Sequence, residues 1–175
     1  TRYNLRDVLR SDESHYLNLG MRYDRNSFFA GQEDESGNPK GGNWTFRAGY
    51  VGHAGDLTAK LLFGQAIQEP SPRQLYGGWG GSGSDPNLQP EKSRTLEVFV
   101  GYVDAQLGLG LNPYVNWLSH VIRNPRQEPE NTGESTVFGL DVHANTLLDL
   151  GGGHDLKLWG FYSWLDARED NFQRD

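Results

Sequence analysis

The chain alternates between apolar and polar residues over many separate stretches. Between residues 15 and 25, the apolar side chains of Leu17, Leu19, Met21 and Tyr23 recur at every second position. Such a period of two is typical of a β-strand with one apolar face and one polar face. The same alternation predicts about eight strands, near residues 1–9, 15–25, 43–53, 57–68, 93–104, 107–123, 135–148 and 155–168. The predicted fold class is therefore all-β.

The connections between these strands alternate strictly in length. Short turns fall near residues 10–14, 53–56, 104–107 and 150–154, and long polar loops fall at 26–42, 69–91 and 124–134. Short turns at one rim and long loops at the other are typical of an antiparallel up-and-down transmembrane β-barrel. Pro113 interrupts the predicted strand 107–123. A proline inside a strand predicts a bulge or a locally unpaired position.

Composition agrees with a sheet that has one apolar and one wet face. Hydrophobic residues make up only 35% of the 175 residues, yet aromatic residues reach 12% and glycines number 23. The chain has no stretch of about 18 apolar residues, the length that a membrane-spanning helix needs, whereas a barrel strand needs only about 9–11 alternating residues. A net charge of −7 argues against a nucleic-acid-binding surface, because such a surface requires clustered Lys and Arg.

Motifs for catalysis or metal binding are missing from the sequence. There are no cysteines, so neither disulfides nor thiolate metal sites are available. The five histidines are scattered and show no metal-ligand spacing. The acidic run 33–35 has the carboxylates for a calcium ion but not the spacing of a known calcium loop, so we interpret it as a solvated loop. We expect neither an enzyme nor a cofactor.

Two linked motifs flank the longest loop. The first, FGQAIQEPS, covers residues 63–71, and the second, DPNLQPEKSRTLE, covers residues 85–97. In this order and at this separation, they resemble the barrel domain of TonB-dependent outer-membrane receptors. In that family a strand ends in an F-G-x-A-F-R-x-P-S-like run, a long external loop follows, and the next strand begins at N-P-x-L-x-P-E-x-S. Ile67 and Gln68 stand where Phe and Arg are usual.

That resemblance implies a barrel of about 22 strands in the bacterial outer membrane, with a plug domain inside it. It also implies energised uptake of a scarce nutrient, such as an iron-siderophore complex. The implied partners are the lipid bilayer, the receptor's own plug domain, TonB acting through that plug, and a small nutrient ligand. Nothing in residues 1–175 resembles the plug. We therefore expect one β-barrel segment that supplies about eight strands of the larger barrel, with the long loops outside the cell.

Candidate ligand contacts lie in the loop between the two motifs, at Arg73, Tyr76 and Trp79. The resemblance implies that this loop is external, and aromatic and Arg side chains suit recognition of an iron chelate or a vitamin. A second set of charged residues is predicted to face the barrel interior: Arg22, Arg47, Lys60, Glu97, Asp141 and Lys157. We expect this set to brace the wall as cross-strand charge pairs, rather than to contact the plug or a passing ligand.

Two alternatives remain open at the level of sequence. One is a porin-like or small closed β-barrel without energised transport, which would not be expected to carry the two linked motifs. The other is a soluble β-rich binding module, whose inward face would be more aliphatic than the positions found here. Strands that pair into a closed ring would favour the first alternative, and a buried aliphatic core would favour the second.

Overall fold

The computed structural model of the protein describes residues 2–4, 14–25, 41–77, 83–123 and 128–170. The strands within these ranges are β1 (Arg2–Asn4), β2 (Ser14–Arg25), β3 (Gly42–Ala54), β4 (Leu57–Gln68), β5 (Glu91–Val103), β6 (Leu107–Ser119), β7 (Ile122–Arg123), β8 (Glu130–Asn131), β9 (Glu134–Asp149) and β10 (Asp155–Asp170). One short helix, α1 (Pro72–Tyr76), lies between β4 and β5. Helices within the described ranges are too short and too polar to cross a membrane.

Eight of these strands form one antiparallel sheet in the order β1-β2-β3-β4-β5-β6-β9-β10. Each strand pairs with its neighbour in the chain, except that β7 and β8 form a separate ribbon between β6 and β9. The predicted all-β, up-and-down antiparallel fold is thus confirmed. The sheet is open, because no pairing joins β1 to β10 within the described ranges. The strands of the described ranges therefore do not close into a barrel.

The strand register aligns the alternating apolar positions of β2 to β6, β9 and β10 on one side of the sheet, which we call the apolar face. Strand β10 also carries Trp159 and Phe161 on the other side. Leu61 lies opposite Tyr50 on one neighbouring strand and Val98 on the other. No layer of the described protein covers this face, since Leu19 and Met21 are 63% and 66% exposed. The buried hydrophobic residues of the described chain are confined to a loop. A soluble β-sandwich would instead bury such a face in a core.

The opposite side, which we call the mixed face, carries polar residues, rings and glycines. Lys60 lies opposite Phe99, and its ammonium group is 4.8 Å from the centre of that ring. The glycines make room for large neighbours, because a Cβ at Gly139 would overlap the ring of Tyr114 on the adjacent strand. The rings of Tyr114 and Phe99 therefore lie over glycines of the sheet, at Gly139 and Gly101 respectively.

The charged residues of the mixed face do not form the expected cross-strand ladder. Arg22 pairs with Asp24 of its own strand. Asp141 accepts a hydrogen bond from the Ser163 hydroxyl of the neighbouring strand. Among the described residues, no ion pair joins two members of the predicted set. The predicted bracing is wrong in this respect, because glycines and neutral side chains occupy the directly opposite positions, as Gly20 does opposite Arg47.

Strand β6 differs from its predicted course at two points. It ends at Ser119 rather than near residue 123, and His120 follows with a φ of 58°, a left-handed conformation that leaves the strand. Pro113 produces no bulge, because the β5 register is the same on both sides of it. Cα pairing with β5 is interrupted at Pro113, whereas its pairing with Leu140 on the other side is kept. The prediction of a local gap therefore holds on one side only.

Several sequence predictions fall partly or wholly outside the described residues. Of the predicted strand 1–9, only Arg2–Asn4 is described, and it pairs with β2. The acidic run 33–35 and most of the loop around it are likewise outside the described ranges.

The two edges of the sheet at which the strands end are named by their connections. We call the ends near Gln68, Glu91 and Ser119 the loop rim, and the opposite ends the turn rim.

Candidate functional site

The loop between β4 and β5 is organised by helix α1. Ser71 caps its start, accepting a hydrogen bond from the Gln74 backbone N–H at 3.3 Å, while Gln74 Oε1 accepts from the Ser71 N–H at 2.8 Å. This reciprocal pair is a capping box, and Pro72 occupies the first helical turn, where proline is favoured. The helix ends at Tyr76 and is capped by Gly77, whose φ of 86° suits glycine. These capping signals were present in the sequence, but the segment was predicted as loop.

A small apolar cluster fixes this helix to the rest of the loop rim. Leu75 and Leu88 are 1% and 2% exposed, and Ile122 packs against them. The Asp85 N–H also donates to the Gln74 carbonyl at 2.9 Å. A helix of this length is not stable alone. Burial of the two leucines, worth roughly 1.5–3 kcal/mol each, holds it in place.

Asn131 connects this loop to the one that follows β6. Its Oδ1 accepts from the Gln89 N–H at 2.7 Å, and its Nδ2 donates to the Gln89 carbonyl at 3.0 Å and to the His120 carbonyl at 2.7 Å. Glu91 adds a further link by accepting from the Ile122 N–H at 2.6 Å. The two loops therefore form one ordered unit. We call it the loop platform, and it comprises residues 71–77, 85–91, 120–123 and 130–132.

The loop platform carries two of the three predicted ligand contacts. Arg73 and Tyr76 are exposed and lie three residues apart on α1, so they share one side of the helix, while Leu75 points into the apolar cluster. The Tyr76 side chain is 53% exposed. Trp79 lies outside the described residues. A ligand-binding role for all three residues stays a prediction.

The mixed face has a cavity that the sequence did not indicate. It has a volume of about 350 Å³ and is lined by Asn18, Arg47, Ala48, Gly49, Leu62, Phe63, Gly64, Thr95 and Glu97. Arg47 and Glu97 bring opposite charges to this space without forming an ion pair with each other. Gly64 on β4 helps to leave this space open, because no atom lies within 4 Å of the position that a Cβ would take there. That glycine is the one feature of the sequence that could have pointed to the cavity.

A carboxylate with a perturbed pKa lies at the loop rim. Glu69 Oε1 accepts a hydrogen bond from Asn43 Nδ2 at 2.7 Å, while its Oε2 is buried without a hydrogen-bond partner in the described structure. Burial raises the pKa of Glu69 above its usual 4.5; the Asn43 hydrogen bond opposes this, and the nearby Asp24 charge adds to it. No group of three or more metal-ligating side chains occurs in the described ranges.

Comparisons with known proteins agree with this architecture. A family model described as TonB dependent receptor-like, beta-barrel matches residues 2–175. The siderophore receptor PirA from Pseudomonas aeruginosa aligns with a TM-score of 0.62 and 21% identity, over 90% of this chain and 29% of that one. The FrpB iron transporter from Neisseria meningitidis (F3-3 variant) aligns with a TM-score of 0.56 and 16% identity, over 91% of this chain and 23% of that one. The copper transporter OprC aligns with a TM-score of 0.50 and 14% identity, over 88% of this chain and 26% of that one. No curated protein matches.

At these identities the solved structures establish the fold alone. The chain spans less than a third of the length of each. The matching family is described as receptor-like, and the three solved proteins are named as a siderophore receptor, an iron transporter and a copper transporter. Since the family model covers nearly the whole sequence, the chain belongs to the TonB-dependent receptor β-barrel family.

Proposed function

We propose that residues 1–175 form one section of the barrel wall of a bacterial outer-membrane receptor. The receptor takes up a scarce nutrient, most specifically an iron-siderophore complex, with energy from TonB acting through a plug domain. One observation carries the proposal: a continuous apolar face and a mixed face lie on opposite sides of one up-and-down sheet, with an ordered loop platform at one rim. The family is one of bacterial outer-membrane receptors, which fits all three features.

The apolar face is the side that meets the hydrocarbon of the membrane. Its rows run across the sheet, as from Val100 through Leu111 to Val142. Exposed apolar rows of this extent are unfavourable in water, at about 25 cal/mol for each Å², and favourable against lipid. The mixed face then lines the lumen, where Arg47, Glu97 and their neighbours are hydrated and need no ion-pair partner.

The loop platform faces the outside of the cell and contributes to the ligand-binding mouth. Arg73 and Tyr76, with Trp79 three residues further along, supply a cation and aromatic rings for an anionic chelate. Support for a metal-bearing nutrient comes from the structural neighbours PirA, FrpB and OprC, which are named as a siderophore receptor, an iron transporter and a copper transporter. The iron-siderophore ligand is the narrower part of the proposal.

The two alternatives are less consistent with the fold. A small closed barrel requires its first and last strands to pair, and the described parts of β1 and β10 do not pair. A soluble β-rich module requires a buried core, whereas buried hydrophobic side chains in the described ranges comprise only Leu75 and Leu88. Neither alternative is favoured by a separate observation.

Binding and uptake by the full-length receptor test the proposal. We would titrate the detergent-purified protein with ferric catecholate and ferric hydroxamate siderophores, and with copper and haem, by calorimetry. Uptake of radioactive iron would then be compared in cells with and without TonB. Arg73→Gln and Tyr76→Ala are expected to weaken siderophore binding by roughly 10-fold each. Lys157→Gln, on the mixed face at the turn rim, is the matched control and should bind like the wild type.

Each part of the proposal has its own contradicting result. Binding of copper or haem with no binding of any ferric siderophore would overturn the ligand class. Uptake that is equal with and without TonB would overturn the energised mechanism. Wild-type affinity in both loop variants would show that the mouth is built by other residues.

A further inference from the structure

A second cavity lies on the apolar face, close to the loop rim. It has a volume of about 620 Å³ and is lined by Phe63, Gln65, Lys92, Arg94, Trp117, Leu118, Ser119, His120, Glu134, Ser135 and Thr136. The register explains its position: Arg94 lies opposite both Gln65 and Trp117, and Lys92 lies opposite Ser119. This groove is therefore on the side of the sheet away from the lumen, and separate from the loop residues proposed to bind nutrient.

The groove combines two cations with an aromatic ring. Lys92 and Arg94 are two residues apart in β5, so both side chains lie on the same face. Within the described structure, neither forms an ion pair with a carboxylate. In contrast, Arg168 on the same face is paired with Asp166 at 2.9 Å. Lys92 and Arg94 therefore make the β5 side of a groove of mixed polar and apolar lining locally positive.

On the turn-rim side of these two cations, the apolar face is suited to hydrocarbon chains. Phe63, Leu96 and Val115 continue the apolar face from the groove toward the turn rim. Trp117 lies beside Arg94, and a tryptophan with an apolar body and a polar N–H is favoured at the level of lipid headgroups. Glu134 at the far side of the groove, opposite Ser119, would repel an anion and so confines it to the side of Lys92 and Arg94.

We propose that this groove binds the phosphate group of an anionic lipid in the outer leaflet, with the acyl chains lying along the apolar face. This inference rests on the proposed function, which sets the apolar face against lipid and the loop rim outside the cell. Basic side chains at a membrane surface attract anionic headgroups. A phosphate accepts hydrogen bonds from both the Arg guanidinium and the Lys ammonium.

The test uses the detergent-purified full-length receptor and native mass spectrometry. Lipid A is the phosphate-bearing probe, and its dephosphorylated form, which has the same acyl chains, is the comparison. The double variant Lys92→Gln with Arg94→Gln is expected to bind lipid A roughly 10- to 30-fold more weakly than the wild type. The double variant Arg47→Gln with Lys60→Gln removes the same number of charges from the mixed face and should keep wild-type affinity.

Three results would overturn the proposal: equal binding of the two lipid forms by the wild type, unchanged affinity in the Lys92/Arg94 variant, or an equal loss in the Arg47/Lys60 variant. A fourth would be displacement of lipid A by millimolar inorganic phosphate, since the groove would then be a free-phosphate site. Siderophore binding by the same preparations separates the two proposals. A receptor that fails to bind siderophore and still binds lipid A through Lys92 and Arg94 retains this site and loses only the proposed function.

Discussion

The Asn131 side chain pairs with the backbone of Gln89 in the way that one strand residue pairs with another. Its Oδ1 accepts from the Gln89 N–H at 2.7 Å, and its Nδ2 donates to the Gln89 carbonyl at 3.0 Å, across 42 residues of chain. The same Nδ2 reaches the carbonyl of His120, which precedes the β7–β8 ribbon. One amide therefore joins the two long loops, and an amide is the group that supplies both the donor and the acceptor needed.

Asn131→Ala is expected to loosen the loop platform and leave the barrel intact. The change leaves the Gln89 N–H and two carbonyls without their partner, at a cost of about 1–3 kcal/mol to local stability. Hydrogen exchange of the amides in 71–77 and 85–91 should become at least about 10-fold faster, with no change in β9 or β10. Asn131→Asp keeps the acceptor oxygen, so its exchange rates should lie between those of the wild type and those of the alanine variant. Unchanged exchange in the alanine variant would contradict the connection.

Leu75→Ala tests whether the residues that hold the loop platform in place differ from those proposed to bind ligand. Removal of a leucine that is 1% exposed is expected to cost about 2–5 kcal/mol, taken from the loop platform rather than from the sheet. Protease cleavage between residues 71 and 90 should therefore appear, with the melting temperature of the barrel unchanged. Tyr76→Ala is the matched control, because this exposed neighbour should lower ligand affinity and leave the loop resistant. Cleavage in both variants alike would contradict this division.

The sheet was predictable from the sequence because each strand shows its own period of two. In β5, for example, Leu96, Val98 and Val100 fix which face is apolar, and the register then follows from the short turns. The loop platform was not predictable to the same extent. Its helix had a local signal at Ser71 and Gln74, but its position depends on Asn131, which is distant in sequence.

On the mixed face, the sequence pattern predicts which side a residue faces but not which side chain it contacts. Alternation predicted that Lys60 and Glu97 face the same side, and the register agrees. It did not predict what each side chain contacts. Lys60 lies over the Phe99 ring instead of pairing with a carboxylate, because the residue directly opposite it is that phenylalanine. Pairwise contacts follow from register, which a single strand does not specify.

The pKa of Glu69 is expected to lie above 4.5 and to respond to its neighbours. Burial is the main cause, so Asp24→Asn should lower this pKa by removing a repulsive charge, and Asn43→Leu should raise it by removing a hydrogen bond. Selective carboxyl ¹³C labelling and NMR titration would measure each value. Because the folded pKa is raised, the folded protein holds the proton to higher pH than the unfolded chain does. Stability at the loop rim should therefore rise as the pH falls through the folded pKa toward 4.5.

Glu69→Gln is the control for that titration. Glutamine keeps an oxygen for the Asn43 hydrogen bond but has no proton to gain or lose. The pH dependence of loop stability in this window should therefore disappear. If Asp24→Asn left the titration midpoint unchanged, the assigned contribution of the Asp24 charge would be wrong.

Asp104 closes the turn between β5 and β6. Its carboxylate accepts from the N–H groups of Gln106 and Leu107 at 2.8 and 2.7 Å and from the Tyr102 hydroxyl at 2.8 Å. These bonds hold the pKa of Asp104 below its usual 3.8, and the hydrogen bond from the Gln106 N–H is the largest cause. Its contribution to stability is therefore complete above pH 3.8 and is lost as the pH falls through the lower, folded value.

Asp104→Ala should consequently lower the urea midpoint of unfolding at pH 7 and flatten its dependence on pH below 3.8. Asp104→Asn keeps one acceptor oxygen and should retain part of the stability without the pH dependence. Asp56, in the turn between β3 and β4, has no such bonds to turn amides in the described structure. Asp56→Ala is therefore the matched control, and an equal effect there would contradict the specific role of Asp104.

Gly139→Ala tests whether the glycines of the mixed face are required by close packing. A Cβ at this position would overlap the Tyr114 ring on β6, so the ring or the strand must move, at about 1–3 kcal/mol. Gly64→Ala, on the same face, meets no atom within 4 Å and should be neutral or slightly stabilising, since alanine costs less chain entropy than glycine. Thermal unfolding of the full-length receptor would compare the two. In the Gly139→Ala background, Tyr114→Ala removes the ring that the new Cβ overlaps. It should therefore restore the part of the stability that the overlap had cost. An equal loss of stability in Gly64→Ala and Gly139→Ala, or no coupling between Gly139→Ala and Tyr114→Ala, would contradict this. Glycine would then be required by the backbone conformation and not by packing against the Tyr114 ring.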